Sequence, residues 1–157
     1  MTFSTADLLD VDETLVSCEL QFNSYGRTPR FFGTVRTIRC LHDNALVRRV
    51  VSQPGNGAVL VIDGGGSLYS ALVGDVLAGT AVENGWAGIV VNGAIRDSAA
   101  IAQLELGVKA LGTNPRRSSK TGAGELEVPV TFGGAVFTPG HYLYSDEDGI
   151  VVSPVAL

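Results

Sequence analysis

Apolar and polar residues alternate along Phe31–Cys40. Phe32, Thr34, Arg36 and Ile38 fall on one face, and Phe31, Gly33, Val35 and Thr37 on the other. A two-residue period is that of a pleated strand, so this run predicts a strand. A strand-like run at Leu15–Phe22 precedes it. The middle of the chain holds two compact apolar runs, Ala58–Ile62 and Gly88–Val91, which read as buried strands, and a third short strand at Val108–Gly112. Helical segments lie between and around them. Asn44–Ser52 is stopped by Pro54-Gly55-Asn56-Gly57, Ser67–Val73 is interrupted by Gly74-Asp75, Val76–Asn84 follows, and Ser98–Leu106 has Asp97 or Ser98 as cap. A short helix is predicted at Ser4–Asp10, with Ser4 or Thr5 as N-cap. Strand and helix therefore alternate through the middle, as in βαβ units.

Beyond Pro115 the pattern changes. Pro115–Gly124 is basic and Gly-containing, a predicted loop. Closely spaced strands follow at Glu127–Phe132, Ala135–Thr138, His141–Ser145 and Gly149–Val152. Asp146-Glu147-Asp148-Gly149 reads as a hairpin turn with exposed charge. No linker and no internal repeat divides the chain. The expectation is one α/β domain over residues 1–157, with a βαβ middle and β-rich ends, layered sheet on sheet and helix.

Composition narrows the classes. The 157 residues are 45% hydrophobic and 17% charged, enough apolar matter for a real core and far from a disordered composition. So few charges also suggest that other subunits cover some apolar surface. A net charge of −5 argues against nucleic-acid binding. Cys18 and Cys40 have no CxxC or His partner and read as buried reduced thiols. The N-terminus has no basic or apolar targeting region, and no apolar run reaches the length of a membrane span, so a soluble cytoplasmic protein is expected.

The chemistry concentrates in two doublets, Gly74-Asp75 and Arg96-Asp97, each opening a helical segment after an apolar run. Either Asp could be a plain helix cap. Together they offer more. Amides at a helix start, here those of Val76 and Leu77, favour an anion such as a substrate carboxylate. Arg96 offers a planar fork of donors to the same kind of group. Asp97 suits Mg²⁺ or Mn²⁺, hard cations satisfied by one or two carboxylates with waters and substrate oxygens. The ends of strands are also where ligands gather in α/β sheets.

Asp63-Gly64-Gly65-Gly66-Ser67 after an apolar strand imitates the first motif of an S-adenosylmethionine methyltransferase. The imitation is partial. The next strand ends in Asn92-Gly93 rather than an acid, and Tyr69 stands where G-x-G-x-x-G needs its last Gly. His42 and His141 have no ligand spacing and read as structural or surface residues. Arg116-Arg117-Ser118-Ser119-Lys120 is either a solvated loop or a contact with an anionic substrate or a neighbouring subunit.

Taken together, Gly74-Asp75, twenty residues, Arg96-Asp97 and the preceding Asp63–Gly66 turn resemble the RraA-like family. That family includes the regulator of ribonuclease activity A and the class II 4-hydroxy-4-methyl-2-oxoglutarate aldolases. The resemblance continues through Val128-Pro129-Val130, Phe132-Gly133-Gly134-Ala135-Val136, Pro139-Gly140 and Asp146 to Pro154. It implies a swivelling β/β/α fold in a homotrimer, in some members paired to a hexamer, with sites between subunits. It implies Arg96 as a substrate contact, Asp97 as metal ligand, and Gly74, Asp75, Val76 and Leu77 as the substrate-binding loop, Asp75 orienting a water on the metal. Aldolase members carry a C-terminal acid that reaches a neighbour's metal site, and this sequence shows no clear counterpart. His141 stands where relatives usually carry Asp. The expected activity is a metal-dependent lyase cleaving the C3–C4 bond of a 2-oxo acid to release pyruvate, with oxaloacetate decarboxylated at least as readily as an aldol substrate is cleaved. The alternative is a protein-binding regulator of a ribonuclease, with no direct contact to nucleic acid.

Overall fold

A computed structural model describes residues 2–157. The N-terminal part holds α1 (Thr5–Val11), the short strands β1 (Val16–Ser17) and β2 (Asn23–Ser24), and the long strand β3 (Phe31–Arg39). The middle holds α2 (Ala45–Val51), β4 (Val59–Asp63), β5 (Ala71–Val73), α3 (Asp75–Glu83), β6 (Gly88–Ile95), α4 (Ser98–Ile101) and β7 (Gly107–Thr113). The remainder is β8 (Glu125–Leu126), β9 (Val130–Phe132), β10 (Ala135–Phe137), β11 (Tyr142–Asp146) and β12 (Gly149–Ser153).

The main sheet runs β1-β12-β11-β3-β4-β6-β7-β2, with β5 added on β6 and β8 on β3. Its centre, β3, β4, β6 and β7, is parallel, as the βαβ reading requires. The flanking strands pair antiparallel. The hairpin β9–β10 stands apart as a second, small sheet.

Side-chain alternation along the central strands builds two cores. Ile38, Leu60, Ile62, Ile89 and Val91 point to the helices, where they meet Val47, Val51, Ala78 and Ala81. Phe31, Val35, Val59, Val61 and Val90 point the other way and meet Val130, Phe132 and Phe137 of the hairpin. Both faces of the parallel centre are thus covered, which is why β4 reads as an unbroken apolar run. The layering is hairpin, sheet, helices: the expected β/β/α arrangement. Gly88 and Gly107 are register partners, and the Phe31 ring packs directly on both; a Cβ at either would fall inside that ring.

Several boundaries differ from expectation. Ser67–Val73 is not a helix. Ser67 Oγ accepts from the Tyr69 amide in a tight turn, and Ala71–Val73 then finds a strand partner in β6. β6 does not end at Val91 but runs to Ile95. Beyond Ile101 the hydrogen bonds tighten to three-residue turns, so α4 is far shorter than Ser98–Leu106. Leu15–Phe22 contributes only β1, because its later residues turn toward the hairpin, where Glu19 N donates to Gly133 O. Cys40 is buried, and burial, with Asp43 and Asp63 nearby, pushes its thiol up to about 12. No helix of the described residues is long and apolar enough to cross a membrane.

The acidic turn is where expected, but Asp146 is buried rather than exposed. Its carboxylate accepts from Thr5 N and Thr5 Oγ1, both at 2.7 Å, and so ties α1 to the sheet. Beneath it the buried Lys109 donates from Nζ to Asp146 O at 2.5 Å. Burial works to raise the Asp146 pKa, but the bonds from Thr5, Asp148 and Gly149 outweigh it and hold the group below its ordinary value. Because the folded value lies below the unfolded one, this stabilisation is complete above the unfolded pKa of about 4 and is lost as pH falls through the folded value. Asp146→Asn should therefore destabilise the protein by about 2 kcal/mol at pH 7. Its stability should fall less steeply than that of the unsubstituted protein below about pH 4, as urea titrations across pH would show.

Candidate functional site

The site is made by the pairing of β5 with β6. β6 pairs with β4 as far as Asn92, then shifts register, and its last residues pair with β5: Ala94 with Ala71 and Ile95 with Val73. The strands are parallel, so their carboxyl ends lie side by side. Gly74 follows one and Arg96 the other, and Arg96 N donates to Val73 O at 3.0 Å. Two doublets separated by twenty residues become neighbours at the mouth of the sheet.

Asp97 is the N-cap residue of α4, as expected, but neither aspartate uses its side chain to cap the helix that follows. Gly74 is the N-cap of α3, which makes Asp75 its first residue. Asp97 sits in the left-handed region at φ 58° and ψ 40°, a conformation that Asp tolerates better than most side chains, and makes no capping bond to α4. That turn aims its carboxylate across the site instead: Asp97 Oδ2 accepts from Asp75 N at 3.2 Å. Asp97 thus caps α3 from a different strand. The approach is close, since a Cβ on Gly74 would stand 2.8 Å from Asp97 Oδ2. Among the described residues the amides of Val76 and Leu77 have no acceptor, as expected of a helix's first turn. The Leu77 side chain is buried in the core, whereas Val76 is exposed.

The Arg96 guanidinium donates to Pro115 O at 3.4 Å, and its Nε lies 3.9 Å from Asp97 Oδ2. Both side chains remain 41% exposed, open to a ligand. All six residues read from the sequence, Gly74, Asp75, Val76, Leu77, Arg96 and Asp97, line one cleft of about 200 Å³.

Other segments complete the wall: Asn44 at the N-cap of α2 and Arg48 in its last turn, and Arg117, Ser118 and Lys120 from the basic segment. That segment lies along the free edge of β5. Ala71 N donates to Arg116 O at 2.8 Å, and Ser118 Oγ donates to Ala71 O at 2.6 Å. Of the two readings of Arg116–Lys120, the structure brings Arg117 and Lys120 to the cleft. Arg48 escaped sequence reasoning altogether. It sits on the polar side of a helix whose Leu46, Val47, Val50 and Val51 are buried, and nothing in that spacing separates it from a solvated charge.

Four cationic side chains, Arg48, Arg96, Arg117 and Lys120, thus face two carboxylates, Asp75 and Asp97. The cleft is locally positive on a chain of net charge −5, an arrangement that draws in anions. No group of three or more His, Cys, Asp or Glu that could hold a metal occurs among the described residues. A closed structural site of the zinc kind is therefore not built here. Asp97 Oδ1, which takes no protein hydrogen bond among the described residues, matches the need of Mg²⁺ or Mn²⁺ for a carboxylate completed by waters and substrate oxygens.

The methyltransferase-like turn does not lead into a helix. Asp63 Oδ1 accepts from Gly65 N and from Asn92 Nδ2, and the chain continues into the turn before β5. No helix N-terminus stands there to receive a phosphate or a cofactor. His42 lies off the cleft, its Nε2 at 2.7 Å from Ser67 Oγ.

The fold is shared with proteins of known structure. A protein from Geobacillus kaustophilus described as an S-adenosylmethionine:2-dimethylmenaquinone methyltransferase is 46% identical, with a TM-score of 0.97 over 99% of this chain and 97% of its own. The RNA-processing inhibitor RraA from Thermus thermophilis is 44% identical, with a TM-score of 0.97 over 100% of this chain and 96% of its own. A Streptomyces coelicolor protein, an unusual member of the RNase ES inhibitor RraA family, is 30% identical, with a TM-score of 0.77 over 96% and 77%. The family model RraA-like (Aldolase/RraA) matches residues 5–152, and the chain belongs to that family.

Proposed function

We propose that the cleft is the active site of a divalent-metal-dependent lyase that cleaves the C3–C4 bond of 2-oxo acids and releases pyruvate. The carrying observation is the β5–β6 pairing, which gathers a guanidinium, two carboxylates and two free amides at one point. Arg96 would bind the C1 carboxylate of the substrate, with the Val76 and Leu77 amides on the same anionic end. Asp97 would hold the cation, and bound Mg²⁺ or Mn²⁺ would supply Lewis acidity at the keto oxygen, drawing electrons from the breaking bond. If C4 is a carboxylate, as in oxaloacetate, it leaves as CO₂ and no base is needed there. The enolate left behind would take a proton at C3 from solvent, through a water that Asp75 would orient. If C4 bears a hydroxyl, as in 4-hydroxy-4-methyl-2-oxoglutarate, Asp75 must first take that proton through water. Decarboxylation asks less of the site, because among the described residues Asp75 is the one cleft carboxylate left free of the cation to act as that base.

Leu41, Leu68, Tyr69 and Val76 are exposed apolar side chains at the carboxyl end of the parallel strands. They support the reading that a further copy covers this end, as in the homotrimer that the resemblance implies. A second function is supported by the relatives described as ribonuclease inhibitors. An acidic exterior suits a basic partner segment, and such binding would use the outer surface rather than the cleft.

Oxaloacetate decarboxylation with Mg²⁺ should be abolished by chelation; equal rates with and without chelator would remove the metal from the reaction. Asp97→Ala should lower kcat/KM by about 100-fold or more while leaving any inhibition of a ribonuclease intact. Loss of both would assign Asp97 a purely structural role. Gly74→Ala should be the subtler probe. It introduces only a methyl group, but against the Asp97 carboxylate, and a displacement of that size should cost about 100-fold in turnover. The melting temperature should change little, and full activity in Gly74→Ala would show that the Asp97 position is not critical.

A further inference from the structure

Behind the cleft lies a buried carboxylate that the chemistry above does not use. Asp43 is 3% exposed and has no cationic partner among the described residues. It accepts four hydrogen bonds: from Thr121 N at 2.6 Å, Thr121 Oγ1 at 2.7 Å, Gly122 N at 3.1 Å and Ala45 N at 3.2 Å. All its partners belong to two segments. One is the start of α2, the helix that carries Arg48 in its last turn; the other is the stretch just after Arg117 and Lys120. The same two segments are joined by backbone bonds, Asn44 N to Ser119 O at 3.0 Å and Ser119 N to His42 O at 2.8 Å. Lys120 Nζ is tethered in turn to Asn44 Oδ1 at 3.4 Å, and Asn44 Nδ2 donates to Leu72 O of β5. Burial works to raise the Asp43 pKa, but the bonds from Thr121, Ala45 and Gly122 outweigh it, so the group stays ionised at neutral pH.

We propose that Asp43 is a positioning residue: by clamping residues 119–122 to the start of α2, it places Arg48, Arg117 and Lys120 to read a second carboxylate at the far end of the substrate. The inference rests on the lyase reading, whose substrates oxaloacetate and 4-hydroxy-4-methyl-2-oxoglutarate both carry that second carboxylate; what it adds is the group that positions the cations to read it. Arg96 and the α3 amides suffice for one carboxylate. The three further cations, on segments that meet at Asp43, have no other anion to face in the cleft than Asp75 and Asp97.

Binding of two unreactive probes tests this without relying on turnover. L-malate and L-lactate differ in the distal carboxylate. Calorimetry on the full Mg²⁺-loaded protein should show malate bound the more tightly. Asp43→Asn puts a donor where donors already point, and should weaken malate by about tenfold while lactate stays within about twofold. Thr121→Val removes a single hydroxyl donor. It should give the same selective loss, smaller in size, and decides the matter should Asp43→Asn fail to fold. A merely structural role would lower the folded fraction and leave the malate-to-lactate ratio unchanged, which would overturn the proposal, as would equal affinity of the unsubstituted protein for the two probes. If malate binds selectively yet oxaloacetate is not turned over, the lyase reading fails and the clamp stands. If oxaloacetate is turned over and the ratio is unmoved in both variants, the clamp fails and the lyase reading stands.

Discussion

The site depends on three residues of backbone pairing. Ala71–Val73 is a very short strand, yet it brings the Gly74-Asp75 turn beside Arg96-Asp97. It can do so because β6 changes partner along its length, leaving β4 after Asn92 and taking up β5 from Ala94. Parallel pairing then sets the ends of the two strands together, as it does wherever α/β sheets bind ligands. On its other edge, β5 holds the basic segment through Ala71. A strand with a partner on one side and a functional segment on the other works as a spacer, setting the width of the cleft in units of one strand spacing.

The chemistry of the cleft is a local inversion of the chain's charge. The acidic residues outnumber the basic ones over the whole sequence, yet the cations collect where β5 and α2 converge. Asp97 does two things there. Its Oδ2 terminates α3 through Asp75 N, and its other oxygen remains open. The capping bond fixes the carboxylate, the left-handed turn aims it, and Gly74 leaves it room. Each feature is local and small, and each constrains the same group.

The parallel centre was legible because both of its faces are buried. Ala58–Ile62 is apolar throughout, as expected of a strand covered on two sides. The doublets were legible because glycine, acid and arginine at strand ends form a recognisable pattern. Their contact was not. Ser67–Val73 has no pattern that distinguishes three residues of strand after a tight turn from two turns of helix. Its strand state is decided by a partner more than twenty residues away. Asp146 was misjudged for a similar reason: an acidic turn looks exposed unless one knows that α1 arrives to donate to it. Arg48 and Asp43 were invisible as site residues, because a helix face and a turn acquire their meaning only from the loop that folds back against them.

Almost every group that touches the cleft lies past the end of a strand, in a turn or on a helix surface; Leu77 is the one large side chain shared with the core. The scaffold and the chemistry can therefore change independently over generations. A lineage could lose Arg96 or Asp97 and still inherit an intact sheet, with its outer surface free to acquire partners. A family in which lyases and inhibitors share one architecture is what such a division would leave behind.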